Sequence, residues 1–253
     1  MALSALDQLL WAANFSCFVA LLCVLIYRQR WKEIPVFTTL IAYDVAKTIA
    51  LFLAFRTGSR HLYAAIYWSA AYLDFCLQLG VVIEMARIVL RPTGTWVQDA
   101  KKQFVFWGSA GAAVAAVLAW AVSPPSARAL ERWEMRGNLF TVLVICELVT
   151  VITITSNKLG LGWRSHVMAL GQGLAAWSVV AVAVEVLHSY LGKVRAFLPL
   201  EHVLMVASLG TLGYWMVRLW QEEPVRQPIS SDLQAYILAL HRRVRYDVRR
   251  ITN

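Results

Sequence analysis

The chain has 253 residues, of which 59% are hydrophobic and only 15% are charged, and its mean hydropathy is +0.58. A soluble domain is typically about 45–50% apolar with ~25% charged residues, so this composition excludes a typical soluble domain and indicates a membrane protein. The net charge of +9 does not indicate nucleic-acid binding, because the basic residues lie in short loops and in one terminal tail.

Seven apolar segments are each predicted to form a helix long enough to cross a hydrocarbon core of ~30 Å. In chain order they cover about 5–27, 34–55, 62–90, 104–122, 139–155, 167–191 and 197–220, the fifth being the shortest. The predicted fold is therefore an all-α membrane protein, with a bundle of seven transmembrane helices over residues 1–220. A cytoplasmic basic amphipathic tail is predicted to follow over residues 221–253.

The first segment has no basic residue before it and three directly after it, namely Arg28, Arg30 and Lys32. A cleavable signal peptide has the opposite arrangement of charge, so this segment is predicted to be a retained helix whose N-terminus lies outside. Lysine and arginine are nearly balanced between the loops of the two sides, but the tail after the seventh segment is strongly basic. The positive-inside rule therefore predicts a cytoplasmic C-terminus.

The second and third segments carry ionisable residues at membrane depth. Asp44 and Lys47 lie three residues apart on one face of the second helix, a spacing that lets their charges neutralise each other. The third segment contains Asp74 on one face and Glu84 with Arg87 on another. An ionisable group inside a bilayer costs about 2.5–3.5 kcal/mol and normally faces other helices, so the third segment is predicted to be the central helix of the bundle.

The third segment also carries a family resemblance. Its pattern Y-W-x5-D, followed by E-M-A-R-I-V-L-R-P, resembles uncharacterised seven-helix proteins of bacterial membranes. The likeness covers this segment and the general layout of the chain. It implies a location in a bacterial inner membrane and implies no activity.

The fourth segment contains Gly108, Ser109, Gly111 and a run of alanines, which allow close approach between helices and supply no polar function. The loop after it, over residues 123–137, is predicted to include a short interfacial helix. The last three segments each carry at least one acid, and the sixth and seventh also carry a histidine beside that acid.

With the N-terminus outside, polar residues of several segments fall at mid-membrane or in the outer half of the bilayer, which predicts an outward-facing polar pocket. The candidate ligand- or ion-binding residues are Asp44, Lys47, Asp74, Gln78, Glu147, Glu185, His188, Glu201 and His202. Asp74 and Glu147 have no oppositely charged neighbour one turn away, so they are the leading candidates. The structural alternative is internal pairing at i+3, predicted for Asp44 with Lys47, Glu84 with Arg87 and Glu185 with His188.

Cofactor sites are weaker hypotheses for the same residues. Glu185-x-x-His188 places two metal ligands one turn apart, with His202 as a third, but the second half of a carboxylate-bridged motif is absent. A haem between His188 and His202 would use two axial imidazoles on neighbouring helices. A retinal site is a poorer hypothesis still, because the seventh segment has no lysine for a Schiff base. We therefore expect no cofactor, with a metal or haem at the two histidines as the alternative.

No nucleophile elbow, phosphate loop, kinase box or metalloprotease helix occurs in the sequence, so a non-enzymatic role is expected. The predicted function is that of a sensor, a receptor-like protein or an accessory subunit. A small transporter or a proton-conducting protein along Asp44, Asp74 and Glu147 is the alternative, although the chain shows no inverted halves. An intramembrane metal-dependent enzyme is the third possibility.

The tail has apolar residues at spacings of four and three beside a basic face, a pattern typical of an amphipathic helix. The basic residues of this face are Arg242, Arg243, Arg245, Arg249 and Arg250. Such a helix is predicted to lie on the anionic inner leaflet or to bind a protein partner.

Overall fold

The structure is a computed structural model that describes residues 5–57, 60–90, 97–121, 129–158, 166–191 and 193–222. This part of the chain is helical and contains no strand. Its seven α-helices are α1 (Ala5–Tyr27), α2 (Pro35–Thr57), α3 (Arg60–Leu90), α4 (Val97–Ala121), α5 (Ala129–Lys158), α6 (His166–Leu191) and α7 (Lys193–Trp220). The predicted amphipathic helix of the tail, with its five arginines, lies outside the described residues.

Six of these helices are long and apolar enough to cross a membrane, which makes the protein an integral membrane protein. The exception among the described helices is α4, whose apolar part covers only Val105–Ala121. Its first turns carry charged residues instead, because the sequence there reads VQDAKKQ. The predicted all-α architecture is therefore confirmed, and the count of helices that meet the length and hydropathy requirement is six.

Six of the helices form a ring in the order α1, α2, α3, α5, α6, α7 and back to α1, and α3 also contacts α6 across the ring. The remaining helix, α4, lies outside this ring and packs mainly against α5. Consecutive helices run in opposite directions, so α1, α3, α5 and α7 begin at the same end of the bundle. We call this end the upper end and the opposite one the lower end.

The buried apolar core lies in the lower half and takes residues from all six helices of the ring. Its members include Leu21, Leu25, Phe37, Ile41, Val81, Met85, Ile145, Val149, Leu170, Leu174, Leu212 and Trp215. The ring of Phe37 meets the indole of Trp215 edge to face, with 5.0 Å between centroids, and a methyl group at Gly173 would overlap the same indole. These helices therefore approach one another closely in the lower half, where apolar side chains interdigitate.

Two features of the fold differ from the sequence-based expectation. The most buried helix is α6, with 56% of its spanning part inside the protein against 17% for α3, so the prediction of a central third helix is wrong for burial; it is confirmed for contacts, since α3 contacts α2, α4, α5 and α6. The fifth helix is also longer than predicted, because it begins at Ala129 and includes residues expected to form a separate interfacial helix. Charged side chains near its start lower the local hydropathy, so the sequence pattern did not show that the helix continues through these residues.

Candidate functional site: a polar cavity between five helices

A cavity of about 430 Å³ lies in the upper half of the bundle, between α2, α3, α5, α6 and α7. Of these helices, α3 supplies the largest share of the wall, from Tyr67 to Gln78. The ionisable and amide side chains that line it are Lys47, Asp74, Gln78, Asn138, Glu185, His188 and Glu201. Six residues that the sequence singled out from four different helices therefore meet at one cavity.

The Lys47 ammonium group forms the centre of an ion-pair cluster on one wall. It donates to Asp44, three residues earlier on α2, as the spacing predicts. The same ammonium lies 3.5 Å from Oδ2 of Asp74 on α3, so one cation is shared between two carboxylates. Asp74, which has no charged neighbour one turn away on its own helix, thus has its partner on the adjacent helix.

Two acceptor atoms on the α3 wall have no hydrogen-bond partner within the described part of the chain. They are Oδ1 of Asp74 and Oε1 of Gln78, and both atoms are buried. Leaving a buried acceptor without a donor costs about 1–3 kcal/mol, so helices packed only for stability normally avoid it. Both atoms belong to residues that line the cavity, where a bound group could donate to them.

The opposite wall is formed by a regular stripe on α6. Trp177, Ala181, Glu185 and His188 recur at spacings of four, four and three residues, which places them on one helical face. His188 is only 1% exposed, although it lies three residues before the end of α6. Glu201 of α7 completes this wall, so carboxyl groups approach the cavity from α3, α6 and α7.

Three of the nine candidate residues do not line the cavity, and of these Asp44 contacts Lys47 on its wall. Glu147 does not line the cavity; it packs against α4, where a methyl group at Gly111 would overlap its carboxyl group. His202 faces α1 and its Nε2 lies 2.6 Å from Oδ1 of Asp7. The structure therefore separates Glu147 from Asp44 and Asp74, so the three acids do not form one continuous path.

The predicted pairing of Glu84 with Arg87 is wrong. Glu84 accepts hydrogen bonds from the backbone N–H groups of Val36 and Phe37, at 2.9 and 3.0 Å, and so caps the N-terminus of α2. A carboxylate is favoured there because the first N–H groups of a helix have no partner within the helix and carry partial positive charge. Arg87 is exposed instead.

No group of three or more His, Cys, Asp or Glu side chains within the described ranges has the geometry to hold a metal ion. His188 lines the cavity, whereas His202 contacts Asp7, so the proposed third metal ligand and second haem ligand points to a different neighbour. These cofactor hypotheses therefore gain no support from the geometry.

Some residues of the site were not found from the sequence. Asn138 and Thr141 line the cavity from α5; Asn138 lies between the predicted loop and the predicted fifth segment, and Thr141 lies in that segment. Their spacing of three places them on one face, which is a signal that the hydropathy pattern hides. Asp7 was missed because it lies in the first turn of the first helix, where an acidic residue is common and does not indicate a binding site.

Comparisons of the chain with protein-family models, with curated proteins and with solved structures give no match.

Proposed function

We propose that this protein is a non-enzymatic sensor, receptor-like protein or accessory subunit that binds a small polar ligand in the cavity between α2, α3, α5, α6 and α7. The observation that carries this proposal is the convergence of Lys47, Asp74, Gln78, Glu185 and Glu201 on one space of about 430 Å³. Ligand cavities are typically about 300–1,000 Å³ and hold a few polar groups among apolar ones.

Binding accounts for these residues better than packing does. Charged side chains at membrane depth are costly, and side chains that only fix helix packing are expected to satisfy one another. Asp44 and Lys47 fit that structural role because they pair directly. Asp74 and Gln78 fit it poorly, because each presents a buried acceptor atom that no described group satisfies.

The finer topology is part of the proposal. We infer seven crossings of a bacterial inner membrane, with α4 as the seventh, the N-terminus outside and the C-terminus in the cytoplasm. The basic residues after α1 and in the tail support this orientation through the positive-inside rule. The cavity would then face outward, and the basic tail would contact anionic lipid or a cytoplasmic protein partner.

Native mass spectrometry of the protein extracted from its own membrane in mild detergent tests the proposal. We expect wild type to carry a small-molecule adduct that is lost in Asp74→Asn and in Gln78→Leu. Cys76→Ser is the matched control, since Cys76 lies on the same helix and is exposed outside the cavity. An adduct that persists in both cavity variants, or protein that carries none, would contradict the proposal.

A small transporter or proton-conducting protein is the second candidate, and the ion-pair cluster of Asp44, Lys47 and Asp74 is the observation that favours it. The apolar core below the cavity opposes it, since residues from all six ring helices fill the lower half. Proton flux into liposomes that contain only this protein, lost in Asp74→Asn, would support transport over binding.

A further inference from the structure

We propose that the ligand is a long-chain amine, whose ammonium group enters the polar cavity while its hydrocarbon chain occupies an aromatic cleft beside it. This inference rests on the proposed function, because it names the class of ligand for the same cavity. It is carried by the contact between two spaces of opposite character, one lined by carboxyl groups and the other by aromatic rings.

The aromatic cleft has a volume of about 810 Å³ and lies between α3, α4 and α5, also in the upper half. Rings from all three helices line it, including Tyr72, Trp120, Trp133 and Phe140, and its one lining cation among the described residues, Arg136, lies over the Trp120 ring at 4.1 Å from the centroid. Trp120 and Trp133 meet edge to face with 6.1 Å between centroids, so paired rings form part of the lining. The cleft opens outside the ring of helices because α4 packs mainly on α5 and only weakly on α3.

The cleft and the cavity share a wall. Tyr67, Ala71, Phe75, Asn138 and Thr141 line both spaces. At this wall α3 presents the small side chain of Ala71 opposite Asn138 and Thr141 of α5. A chain that enters from the lipid side can therefore reach the polar cavity between α3 and α5 by passing Ala71.

The charge of the cavity indicates a cationic head group. On the wall formed by α2 and α3, the carboxylates of Asp44 and Asp74 share the single ammonium group of Lys47. This excess of carboxylate over ammonium favours a bound ammonium group over a carboxylate or phosphate. An ammonium group also supplies three donors, and Oδ1 of Asp74 and Oε1 of Gln78 are acceptors of the kind it needs.

The size of the cleft indicates a chain rather than another helix. A transmembrane helix about 10 Å wide and ~30 Å long fills on the order of 2,000 Å³, which is more than twice the volume of the cleft. A single hydrocarbon chain fits within 810 Å³, and aromatic walls suit its methylene groups. The cleft therefore matches a lipid-like chain and does not match a partner helix.

The test uses the full chain in nanodiscs of zwitterionic lipid with three probes, which are bromododecylamine, bromododecanoate and butylamine. Quenching of tryptophan fluorescence by the brominated probes reports a chain in the cleft, and the shift in melting temperature reports occupancy of the cavity by butylamine. We expect the long amine to bind at least about tenfold more tightly than the carboxylate of the same chain length, which corresponds to 1.4 kcal/mol. Asp74→Asn should weaken both amines by a similar factor.

Ala116→Trp separates the two parts of the ligand, because Ala116 lines the cleft and does not line the cavity, so the large side chain fills only the cleft. We expect it to weaken the long amine at least about tenfold and to leave butylamine unchanged. Ala113→Trp is the matched control, because Ala113 is exposed on the same helix and lines neither space. Each variant must show a cooperative melting transition. If Asp74→Asn shows none, Gln78→Leu replaces it as the cavity variant.

The outcomes distinguish the two proposals. If Asp74→Asn weakens both amines but Ala116→Trp weakens neither, the ligand lies in the cavity without a chain in the cleft, so the inference fails and the proposed function stands. If the carboxylate binds as tightly as the long amine, the assignment of a cationic head group is wrong. If neither amine depends on Asp74 or Gln78, the inference is overturned, and the adduct measurement alone decides the proposed function.

Discussion

In the lower half of the bundle the six ring helices meet through apolar side chains such as Phe37 and Trp215, whereas in the upper half they surround Lys47, Asp74 and Glu185. The same helices therefore change from close packing to a cavity along their length. Close packing lowers the free energy of the folded state, and a polar cavity raises it. A cavity retained above a well-packed core indicates that the upper half is shaped by something other than stability.

The contrast also bears on transport. A conduction path needs polar groups or water from one end of the protein to the other. The polar residues around Asp74 end where the core begins, and the next layer on α3 consists of Val81, Val82 and Met85, each at most 1% exposed. A cavity closed at its lower side thus describes this arrangement better than a channel does, as the proposed binding role requires.

The largest predicted effect concerns the helix cap in the lower half. Glu84→Ala removes the acceptor of two backbone N–H groups at the start of α2, and each unsatisfied donor costs ~1–3 kcal/mol. We expect the free energy of unfolding, measured by SDS titration in mixed micelles, to fall by about 3 kcal/mol. Arg87→Ala is the control on the same helix and should have almost no effect, because Arg87 is exposed. Equal losses in the two variants would contradict the cap and would support the pairing of Glu84 with Arg87 that the sequence predicts.

The second effect concerns packing in the same half. Phe37 is fully buried against Trp215, so Phe37→Ala leaves a void of ~100 Å³ and should cost about 2 kcal/mol at ~24 cal/mol per Å³. Phe55→Ala on the same helix should change stability little, since Phe55 is 66% exposed to the surroundings of the bundle. A small loss for Phe37→Ala, measured by the same titration, would mean that the lower half is not closely packed.

The fold was predictable where hydropathy and helix length decide it. The bounds of the first helix and the all-helical architecture follow from runs of apolar residues. Backbone N–H and C=O groups in lipid must bond within the protein, and an α-helix satisfies them within one segment. The start of α5 and the weak spanning character of α4 did not follow, since charged residues within a helix look like a loop to a hydropathy pattern. Which helix is most buried depends on packing between helices, and the identity of its own residues does not reveal this.

The site was predictable as a set of residues, but its internal pairs were not. Ionisable groups at membrane depth identified Lys47, Asp74 and Glu185, because each must face protein or water. Rules for i+3 neighbours then assigned partners only within one helix, so they missed the contacts of Lys47 with Asp74 and of His202 with Asp7. Contacts between helices require the relative rotation of two helices about their axes, which a single sequence does not give.

The smallest effect on stability is the sharpest test of the comparison between halves. Gln78→Leu removes a buried acceptor that has no described partner, so the free energy of unfolding should stay the same or rise by up to about 1 kcal/mol. Gln172→Leu is the matched control in α6, because its Oε1 accepts the hydroxyl of Tyr214 and its loss should cost about 1 kcal/mol. A stable Gln78→Leu protein that no longer retains its ligand would show that this side chain is kept for binding. If Gln78→Leu is as destabilising as Gln172→Leu, then Gln78 has a structural partner and the upper half is packed for stability like the lower one.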